Sequence, residues 1–509
     1  MKSRVKKCIL CFLVISVSLL LSACGKDTWK SSDKIVFGTT ISTKSLDPAL
    51  DYNGWFTVRY GISETLFNLD DNMNVIPNIA EGYENIDDYT WIIKIREGIT
   101  FQNGEDLTAE KVRGSLNRVC EMNKRADGTL KIKDISTDGY NLIITTREIN
   151  PTLINDLCEP FSSIIDVEGT EDFDNMPVGT GPFRMTQFNP IKSSTLERYD
   201  NYWQGEPKLK EVKIIHVSDA DTLTMALQTG EIDVAQGIPY SSLKMFESDS
   251  LYKISSVNTS RVILMYYNFK NKLLNDENVR RAISMSIDKD KYASVLLENS
   301  ASAAYGPFPE GMAGISISGE NVYDINKAKD ILKESGYYDS DNDGILEKDG
   351  DKLKFKLITY STRAELPLIA QALQSDLKEI GIDISVEVSD NIMDVLQNGQ
   401  FDLAIYSNVT AATGDTYAYL NNLIERNGPS NYGGYINQDA EILLKEMESE
   451  FDIDRRNEFA SMIVKESMDD YGFNFIANLK MSFVMKSNVK NFHVHPTDYY
   501  QFNWKTDVE

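Results

Sequence analysis

Histidine and cysteine, the side chains that most often bind transition metals or act as nucleophiles, are scarce in this sequence. The 509 residues include three histidines and five cysteines, and these form no Cys/His cluster with the spacing of a metal site. A glycine-rich phosphate loop and a nucleophile elbow are also missing. These absences argue against nucleotide-binding, metal-hydrolase and serine-hydrolase functions.

Positive charge is in deficit as well. The chain has 52 basic and 77 acidic residues, which gives a formal net charge of -25 at pH 7. Such a surface repels nucleic acid, so no nucleic-acid partner is expected. The acidic balance is compatible with cationic solutes but does not identify a ligand. The chain is also too long for one hydrophobic core, which predicts more than one domain.

Long uncharged runs are absent except at the N-terminus. A basic start is followed by residues 8–21, which carry no charge and are too short for a membrane span of about 20 residues. This pattern is typical of a signal peptide, and Leu-Ser-Ala-Cys at 21–24 fits a bacterial lipoprotein processing box. We therefore predict a signal peptide at 1–23, a diacylated Cys24 and a lipid-anchored tether at 24–34. An ordinary signal peptide with a chance cysteine is the alternative.

The stretch 178–235 predicts an α/β unit. The turn Gly179-Thr180-Gly181-Pro182-Phe183 leads into a β-prone segment. Residues 210–217 alternate like a strand, and the next helix is capped by Ser218 or Asp219. Residues 352–406 repeat the pattern as βαβαβ, which predicts a second parallel sheet.

The order of motifs in this stretch resembles one family. Gly-Thr-Gly-Pro-Phe at 179–183, Asp-Asn-Tyr-Trp at 200–203 and Ala-Leu-Gln-Thr-Gly-Glu-Ile-Asp-Val at 226–234 are similar to the family 5 extracellular solute-binding proteins. These proteins serve ATP-driven (ABC) importers for oligopeptides, dipeptides and nickel. The resemblance extends over nearly all of the chain that follows Cys24.

The resemblance implies an α/β fold of the type II periplasmic-binding-protein kind, with two lobes around a cleft. Lobe I spans 35–264 and includes an extra small subdomain at about 71–183; lobe II spans 265–480, and 481–509 return to lobe I. The implied protein is a monomeric lipoprotein on the extracytoplasmic face of the cell membrane. It captures a nickel chelate or a peptide, delivers it to ABC permease subunits and performs no covalent chemistry. A surface lipoprotein that senses peptides without import, and an enzyme on the same fold, remain alternatives.

Aromatic and arginine side chains are the candidate ligand contacts in lobe I. Tyr52, Trp55 and Arg59 follow Leu-Asp-Pro at 46–48 with helical spacing, although Trp55 is equally explained as packed core. Arg125 corresponds to an arginine that reaches the ligand in some nickel-binding relatives. Alternatively, it is a solvated cation at a helix C-terminus. Arg261 lies where the chain crosses between lobes, as either an anion-binding residue or a hinge salt bridge.

The loop that follows the strand 401–406 bears on the solute. Peptide-binding relatives have Trp and then Ala-Asp-Tyr here, and that aspartate binds the peptide ammonium. In this sequence Ala412 stands at the aspartate position, and the carboxylate of Asp415 comes later. We therefore expect a small metal chelate or an atypical peptide, with Tyr406, Asp415 and Tyr417 as further contacts. Asp415 is alternatively a helix cap.

Two features have open structural interpretations. Asp339, Asp341 and Asp343 match the start of a calcium-binding loop, but Gly350 occupies the position of the essential glutamate, so a plain hairpin is the alternative. Cys120 and Cys158 can form a disulfide outside the cell or remain two buried thiols. No other cofactor is expected.

Overall fold

Strands of very different length build the molecule. The computed structural model describes residues 32–312, 315, 323–492 and 494–509. The predicted signal peptide, Cys24 and His493 lie outside these residues. In chain order the strands are β1 Lys34–Thr39, β2 Phe67–Leu69, β3 Val75–Pro77, β4 Ala80–Asn85, β5 Thr90–Ile95, β6 Ile132–Asp138, β7 Asn141–Thr146, β8 Phe183–Asn189, β9 Ser193–Arg198, β10 Glu211–His216, β11 Val234–Gln236, β12 Tyr252–Tyr267, β13 Ala301–Ala303, β14 Glu347–Lys348, β15 Asp351–Lys352, β16 Lys354–Thr359, β17 Asp383–Val388, β18 Leu403–Val409, β19 Phe473–Lys486, β20 Val489–Lys490 and β21 Asp507–Val508.

The helices pack against these strands and connect them. They are α1 Gly54–Arg59, α2 Ala109–Met122, α3 Lys124–Leu130, α4 Leu153–Asp156, α5 Ala220–Gln228, α6 Tyr240–Glu247, α7 Glu277–Met285, α8 Lys289–Lys291, α9 Ile325–Glu334, α10 Glu365–Glu379, α11 Ile392–Gln397, α12 Tyr417–Ile424, α13 Gln438–Met447 and α14 Ile453–Asp469. A 3₁₀ turn at Pro160–Ser162 and a π-helical turn at Tyr292–Leu296 complete them.

One large mixed sheet runs through both lobes. Its strand order is β17-β16-β18-β12-β19-β11-β1-β10-β9-β8, with β13 paired to β19. At the lobe I end, β1 lies parallel to β10 and β11; at the lobe II end, β16 lies parallel to β17 and β18. These are the two parallel units that the sequence predicts. The antiparallel strands β12 and β19 separate them.

The long strands β12 and β19 cross between the lobes and change partners on the way. From Tyr252 to Asn258, β12 pairs with the end of β19, and from Arg261 onward it also pairs with β18. The β12–β19 register shifts between Asn258 and Val262. An irregularity of this kind bends a strand locally, so it marks a bend in the crossing. The predicted lobe boundaries at 264/265 and 480/481 stay predictions.

A separate four-stranded sheet forms the extra unit in lobe I. Its order is β4-β5-β7-β6, all antiparallel, and α2 packs against it. The apolar stripe of α2 explains this packing, because Val112, Leu116 and Val119 share one helical face and are buried. Cys120, predicted on the same stripe, is only half-buried.

Local signals in the sequence are confirmed where they specify caps and stripes. Thr108 accepts a hydrogen bond from the Lys111 amide and starts α2, and Asp219, rather than Ser218, caps α5. The predicted stripe of α10 is buried in full and comprises Leu366, Ile369, Ala370, Leu373 and Leu377. Short-range patterns therefore fix these helices.

Cys120 and Cys158 are free thiols rather than a disulfide. Cys158 is buried in the core, and Cys120 is partly exposed. Across the part of the chain that the structure describes, no helix combines the length and the apolar character needed to cross a bilayer.

Candidate functional site

The two parallel units of the sheet meet across a cleft between the lobes. In parallel α/β sheets, ligands bind beyond the carboxyl ends of the strands. β11 ends at Gln236 and leads to Tyr240 at the start of α6, whereas β16 ends at Thr359 and leads to Glu365 at the start of α10. Burial, and then the charge of Glu365, raise the pKa of Tyr240. The two edges therefore lie close together.

The lobes touch each other at several points around this cleft. The Lys244 ammonium of lobe I lies 3.0 Å from the Glu298 carboxylate of lobe II. The Asn155 side-chain amide donates to the Thr413 carbonyl over 2.9 Å. The rings of Trp91 in the small sheet and Phe451 in lobe II lie 5.8 Å apart, centre to centre. The molecule is thus in a closed arrangement.

On the lobe I side, Tyr52, Trp55 and Arg125 form one cluster around a buried carboxylate. The indole N–H of Trp55 donates to Glu159 over 2.8 Å, and Arg125 pairs with the same carboxylate oxygen at 3.1 Å. The Arg125 guanidinium stacks 4.4 Å from the centre of the Tyr52 ring. Tyr52 is 52% exposed, so this cluster presents an aromatic surface.

The structure corrects the solvated-cation interpretation of Arg125. Asn123 ends α2 and also caps α3, so Arg125 lies in the first turn of a new helix rather than at a helix C-terminus. Its side chain is held between the rings of Tyr52 and Phe161 and paired with Glu159. The helix-end interpretation was wrong because Asn123 both ends α2 and caps α3, so a new helix begins where the sequence shows only an end.

Arg59 lies deeper and is fully engaged. It is 5% exposed and pairs with Asp498 at 2.8 Å, and it also donates to the Asp498 carbonyl. Burial raises the pKa of the Asp498 carboxyl, and the Arg59 charge opposes that change. Gln236 donates to the same carboxylate over 3.0 Å. Arg59 therefore ties the C-terminal segment to the floor of the cleft.

Arg261 is the charged side chain without a counter-ion at the lobe crossing. In the described part of the chain, its guanidinium has no carboxylate or hydrogen-bond partner, so the predicted hinge salt bridge is not formed. Burial, and then the nearby charge of Arg363, lower the pKa of Arg261 to about 10. Arg363 is 3.7 Å from Glu365, a weak pair. The guanidiniums of Arg261 and Arg363 thus share the carboxylate of Glu365, which forms no strong pair with either of them.

Tyrosines flank Arg261 on the lobe II side. The rings of Tyr360 and Tyr406 lie 5.3 Å apart, and both hydroxyls contribute to the electrostatic environment of Arg261. The Tyr406 hydroxyl contacts the Met393 sulfur at 3.4 Å. This side of the cleft therefore combines cations with aromatic faces.

Asp415 is buried and both of its carboxylate oxygens are occupied. One accepts over 2.7 Å from the amide of Tyr417, the first residue of α12; the N-cap position is Thr416, so Asp415 precedes the cap rather than forming it. The other accepts from Arg456 over 2.7 and 3.0 Å. The Tyr417 ring lies 5.9 Å from the Arg456 guanidinium, and burial raises the pKa of Tyr417 to about 12.

A second buried carboxylate lies where α4 of lobe I meets the loop of Asp415. Asp156 is 8% exposed, and the Thr152 hydroxyl donates to it over 2.9 Å. Burial raises the pKa of Asp156 to about 7; the Thr152 hydrogen bond opposes this change, and the charges of Asp415 and Glu159 add to it. Two like charges therefore face each other across the lobe contact.

Sequence reasoning missed the partners of the predicted residues. Glu159 and Asp498 gave no signal, because the residues that they pair with, Arg125 and Trp55 for Glu159 and Arg59 for Asp498, lie far from them in the sequence. Arg363 was identifiable, since it follows β16 at the carboxyl end of a parallel strand. Whether the predicted residues contact a solute stays a prediction.

The acidic loop at 339–347 carries its own cation. The Lys352 ammonium lies 2.7 Å from Asp341 and 2.6 Å from Asp343. Asp339 accepts backbone N–H groups of Asp343 and Gly344. Asp339, Asp341 and Glu347 nevertheless bring one oxygen each within 4.8 Å of one another.

A sequence profile matches most of the chain. The profile of the bacterial extracellular solute-binding proteins, family 5, middle region, aligns with residues 74–431. The nickel-binding protein NikA of Staphylococcus aureus is 30% identical over 497 residues, which cover 97% of this chain and 98% of NikA. The oligopeptide-binding protein AppA of Bacillus subtilis is 25% identical over 539 aligned positions, which cover 97% of each chain.

Solved structures give the same result. A nickel ABC transporter structure from Bacillus halodurans superposes with a TM-score of 0.86 and 33% identity, over 94% of this chain and all of the other. A structure of NikA from Staphylococcus aureus in complex with Ni(L-His)₂ has a TM-score of 0.74 and 29% identity over the same shares of the two chains.

Proposed function

The chain belongs to the family 5 bacterial extracellular solute-binding proteins, and on that premise we propose that its solute is a small nickel chelate bearing carboxylates. Members of this family serve ABC importers for nickel chelates or peptides. The two lobes of such proteins rotate about a hinge and close on the solute. The choice between a chelate and a peptide depends on the charges of the cleft.

The observation that carries the proposal is the unpaired guanidinium of Arg261. A partly buried cation without a counter-ion is costly, and a ligand carboxylate in that place recovers the lost interaction. Arg363 adds a second cation nearby. A carboxylate meets an arginine with two parallel hydrogen bonds, so this pair favours a ligand with carboxylate groups.

Three carboxylates near the cleft are already paired, whereas Asp156 at the lobe contact is held by neutral donors. Asp415 is held by Arg456 and the Tyr417 amide, Glu159 by Trp55 and Arg125, and Glu365 faces Arg363. A peptide's α-ammonium needs a carboxylate when it is buried. None of these three acids is available for that role without breaking an existing pair, so ordinary peptide capture is disfavoured.

The chelator must supply most of the nickel ligands. The candidate residues are aromatic or cationic, and nickel prefers imidazole and other nitrogen or oxygen donors. Tyr52 and Trp55 offer faces for a planar chelate, and Arg125 orients them through its stacking on Tyr52. The solute of NikA in its complex, Ni(L-His)₂, has this composition: a metal with donors and carboxylates from its own chelator.

Calorimetry with a panel of ligands tests the proposal. Nickel with L-histidine, nickel alone, L-histidine alone, a dipeptide and a nonapeptide are titrated into the processed protein. We expect the nickel–histidine mixture to bind with a measurable heat. The Arg261→Ala variant should bind it with at least tenfold lower affinity. Arg184→Ala is the matched control, because Arg184 forms an exposed pair with Glu197 far from the cleft. Micromolar binding of either peptide, with no response to nickel and histidine, contradicts the proposal.

The cellular setting is part of the proposal. We propose that the mature chain starts at a lipidated Cys24, remains on the extracytoplasmic face and works as a monomer with ABC permease subunits. The charged start, the short apolar core and the processing box support the anchor. The relatives support import rather than sensing or catalysis. Turnover of a candidate solute by the pure protein would instead indicate an enzyme.

For the acidic loop, we propose a hairpin closed by Lys352 rather than a calcium site. The ammonium already neutralises Asp341 and Asp343. A Lys352→Met variant removes that cation. An unchanged melting temperature of the wild type on addition of calcium or EDTA supports the hairpin, and a calcium-dependent increase favours the metal.

A further inference from the structure

Lobe I contains a cavity of about 480 Å³ away from the interlobe cleft. It lies between the C-terminal end of α1, the Tyr202 turn and the segment 491–505. Its lining residues are Val58, Gly61, Ser63, Glu64, Asn68, Asn78, Pro182, Tyr202, Gln204, Asn491, Phe492, Tyr500, Phe502, Asn503, Trp504 and Lys505. The volume lies within the range of pockets that bind small molecules, roughly 300–1,000 Å³.

The cavity and the cleft use different sides of the same elements. Tyr499 packs against Trp55 of the cleft cluster at 5.7 Å, whereas the next residue, Tyr500, lines the cavity. On α1, Trp55 and Arg59 belong to the cleft, and Val58 belongs to the cavity. A ligand in one therefore does not occupy the other.

Glu64 is the negatively charged group at the wall of this cavity, which Lys505 also lines. Three neutral donors reach its carboxylate: the Tyr202 hydroxyl at 2.8 Å, the Thr180 hydroxyl at 2.8 Å and the Trp203 indole N–H at 3.1 Å. Burial raises the pKa of Glu64, and these hydrogen bonds oppose the change. Among the described residues no arginine, lysine or histidine forms an ion pair with it.

The surroundings of Glu64 favour a ligand with an apolar body. Tyr202, Tyr500 and Trp504 give aromatic walls, with Val58, Pro182 and Phe502 between them. The Trp504 N–H is already used by Gln204, and the Lys505 ammonium lies 5.1 Å from the centre of the indole ring, so this ring already binds one cation through its face. Aromatic faces and a carboxylate without a counter-ion are the elements that proteins combine to hold organic ammonium groups.

We propose that this cavity is a second binding site, for a small organic ammonium compound with an apolar or aromatic body. The ammonium pairs with Glu64, which supplies the negative charge that a buried cation requires. The body stacks against Trp504 and Tyr500. The net charge of -25 attracts cations and repels anions from the whole molecule, which favours the same ligand class.

A set of three probes of nearly equal shape tests the charge preference. 2-Phenylethylammonium, 2-phenylethanol and 3-phenylpropionate are added separately to the full processed chain, and binding is measured by saturation-transfer NMR and by calorimetry at pH 7. We expect the ammonium probe to bind at least tenfold more tightly than the alcohol, and the carboxylate probe to bind weakest. Equal affinities, or no binding of the ammonium probe, overturn the proposal.

Three variants locate the binding. Glu64→Gln keeps the shape of the side chain and removes its charge. It should weaken the binding of the ammonium probe about tenfold and leave the binding of the alcohol probe unchanged. Trp504→Ala removes a partly exposed side chain from the cavity wall and leaves Glu64 in place. It should weaken the binding of both the ammonium and the alcohol probe. Trp55→Ala alters the cleft and should change neither. Loss of probe binding in Trp55→Ala, or unchanged ammonium binding in both cavity variants, assigns the probe elsewhere and overturns the proposal.

Discussion

At the scale of single residues, the buried pair of Arg456 and Asp415 stabilises the site, although the two residues are far apart in the sequence. The two side chains are 3% and 6% exposed, and Arg456 also donates to the carbonyls of Met447 and Glu450. Arg456 therefore fixes the loop that follows β18 to the start of α14. Asp415 and Arg456 therefore hold this loop in position.

Removing Arg456 leaves a buried carboxylate without its partner. We expect Arg456→Ala to lower the free energy of unfolding by about 3–5 kcal/mol, the usual cost of breaking a buried pair. Urea unfolding followed by circular dichroism measures it. Arg455→Ala is the matched control: the Arg455 side chain is exposed and lies 3.9 Å from the Glu450 carboxylate, so its loss should cost less than about 1 kcal/mol. Equal effects of the two variants would disprove the assignment.

Cys24 is the single residue on which the location depends. The two acyl chains proposed there give stable membrane attachment, whereas one does not. We expect Cys24→Ala to release the protein into the medium or to leave it unprocessed, as shown by fractionation and intact-mass analysis. A Cys24→Ala protein that is processed normally and stays with the membrane would refute the anchor.

At the scale of elements, α4 and the loop 410–415 form a contact that depends on pH. The pKa of Asp156 is raised to about 7 in the folded state, above its ordinary value of 3.8. An acid whose pKa is higher in the folded state than in the unfolded state stabilises the fold while it is protonated. This stability is present below pH 4 and is lost as the pH rises through 7. Asp156→Asn removes this loss, because the amide stays neutral and still accepts from Thr152.

The difference in unfolding free energy between Asp156→Asn and the wild type should therefore grow from pH 4 to pH 7 and level off above. At 1.36 kcal/mol per pKa unit, the full difference is on the order of 4 kcal/mol. Urea unfolding at several pH values measures it. A difference that is independent of pH would show that Asp156 does not titrate in this range.

The same loop approaches lobe I through a glycine. Gly414 has a φ of +79°, and a Cβ there would lie 2.1 Å from the Met73 carbonyl oxygen of lobe I. We expect Gly414→Ala to hold the lobes apart, with a larger radius of gyration in small-angle scattering and at least tenfold weaker solute binding.

Gly434→Ala separates the steric effect from backbone strain. Gly434 has a φ of +72°, but a Cβ there meets nothing within 4 Å. Its alanine variant pays a similar conformational cost of about 1 kcal/mol and should bind solute normally. Equal binding by the two variants would rule out a role for Gly414 in closure.

Elements defined by local patterns were predictable, whereas their partners were not. The stripe of α10 and the caps at Thr108 and Asp219 depend on neighbours within one turn, so the sequence specifies them. The α2–α3 break at Asn123 depends on one side chain that ends one helix and caps the next. Such a break resembles an ordinary helix end in the sequence.

At the scale of the whole molecule, the family resemblance supplied what local patterns cannot. Periodicity predicts strands at both ends of the chain, but it does not show that β12 and β19 pair over long stretches and join two lobes. Ordered motifs carry that information. The resemblance leaves the solute open, because the pairing of Asp415 with Arg456 and the isolation of Arg261 arise only in the folded chain.

Native mass spectrometry of the protein mixed with nickel, L-histidine and a pool of peptides distinguishes a chelate from a peptide as the solute. We expect one bound species whose mass is that of nickel plus its chelator, absent from Arg261→Ala and retained in Arg184→Ala. A bound species with the mass of a peptide and no metal would contradict it.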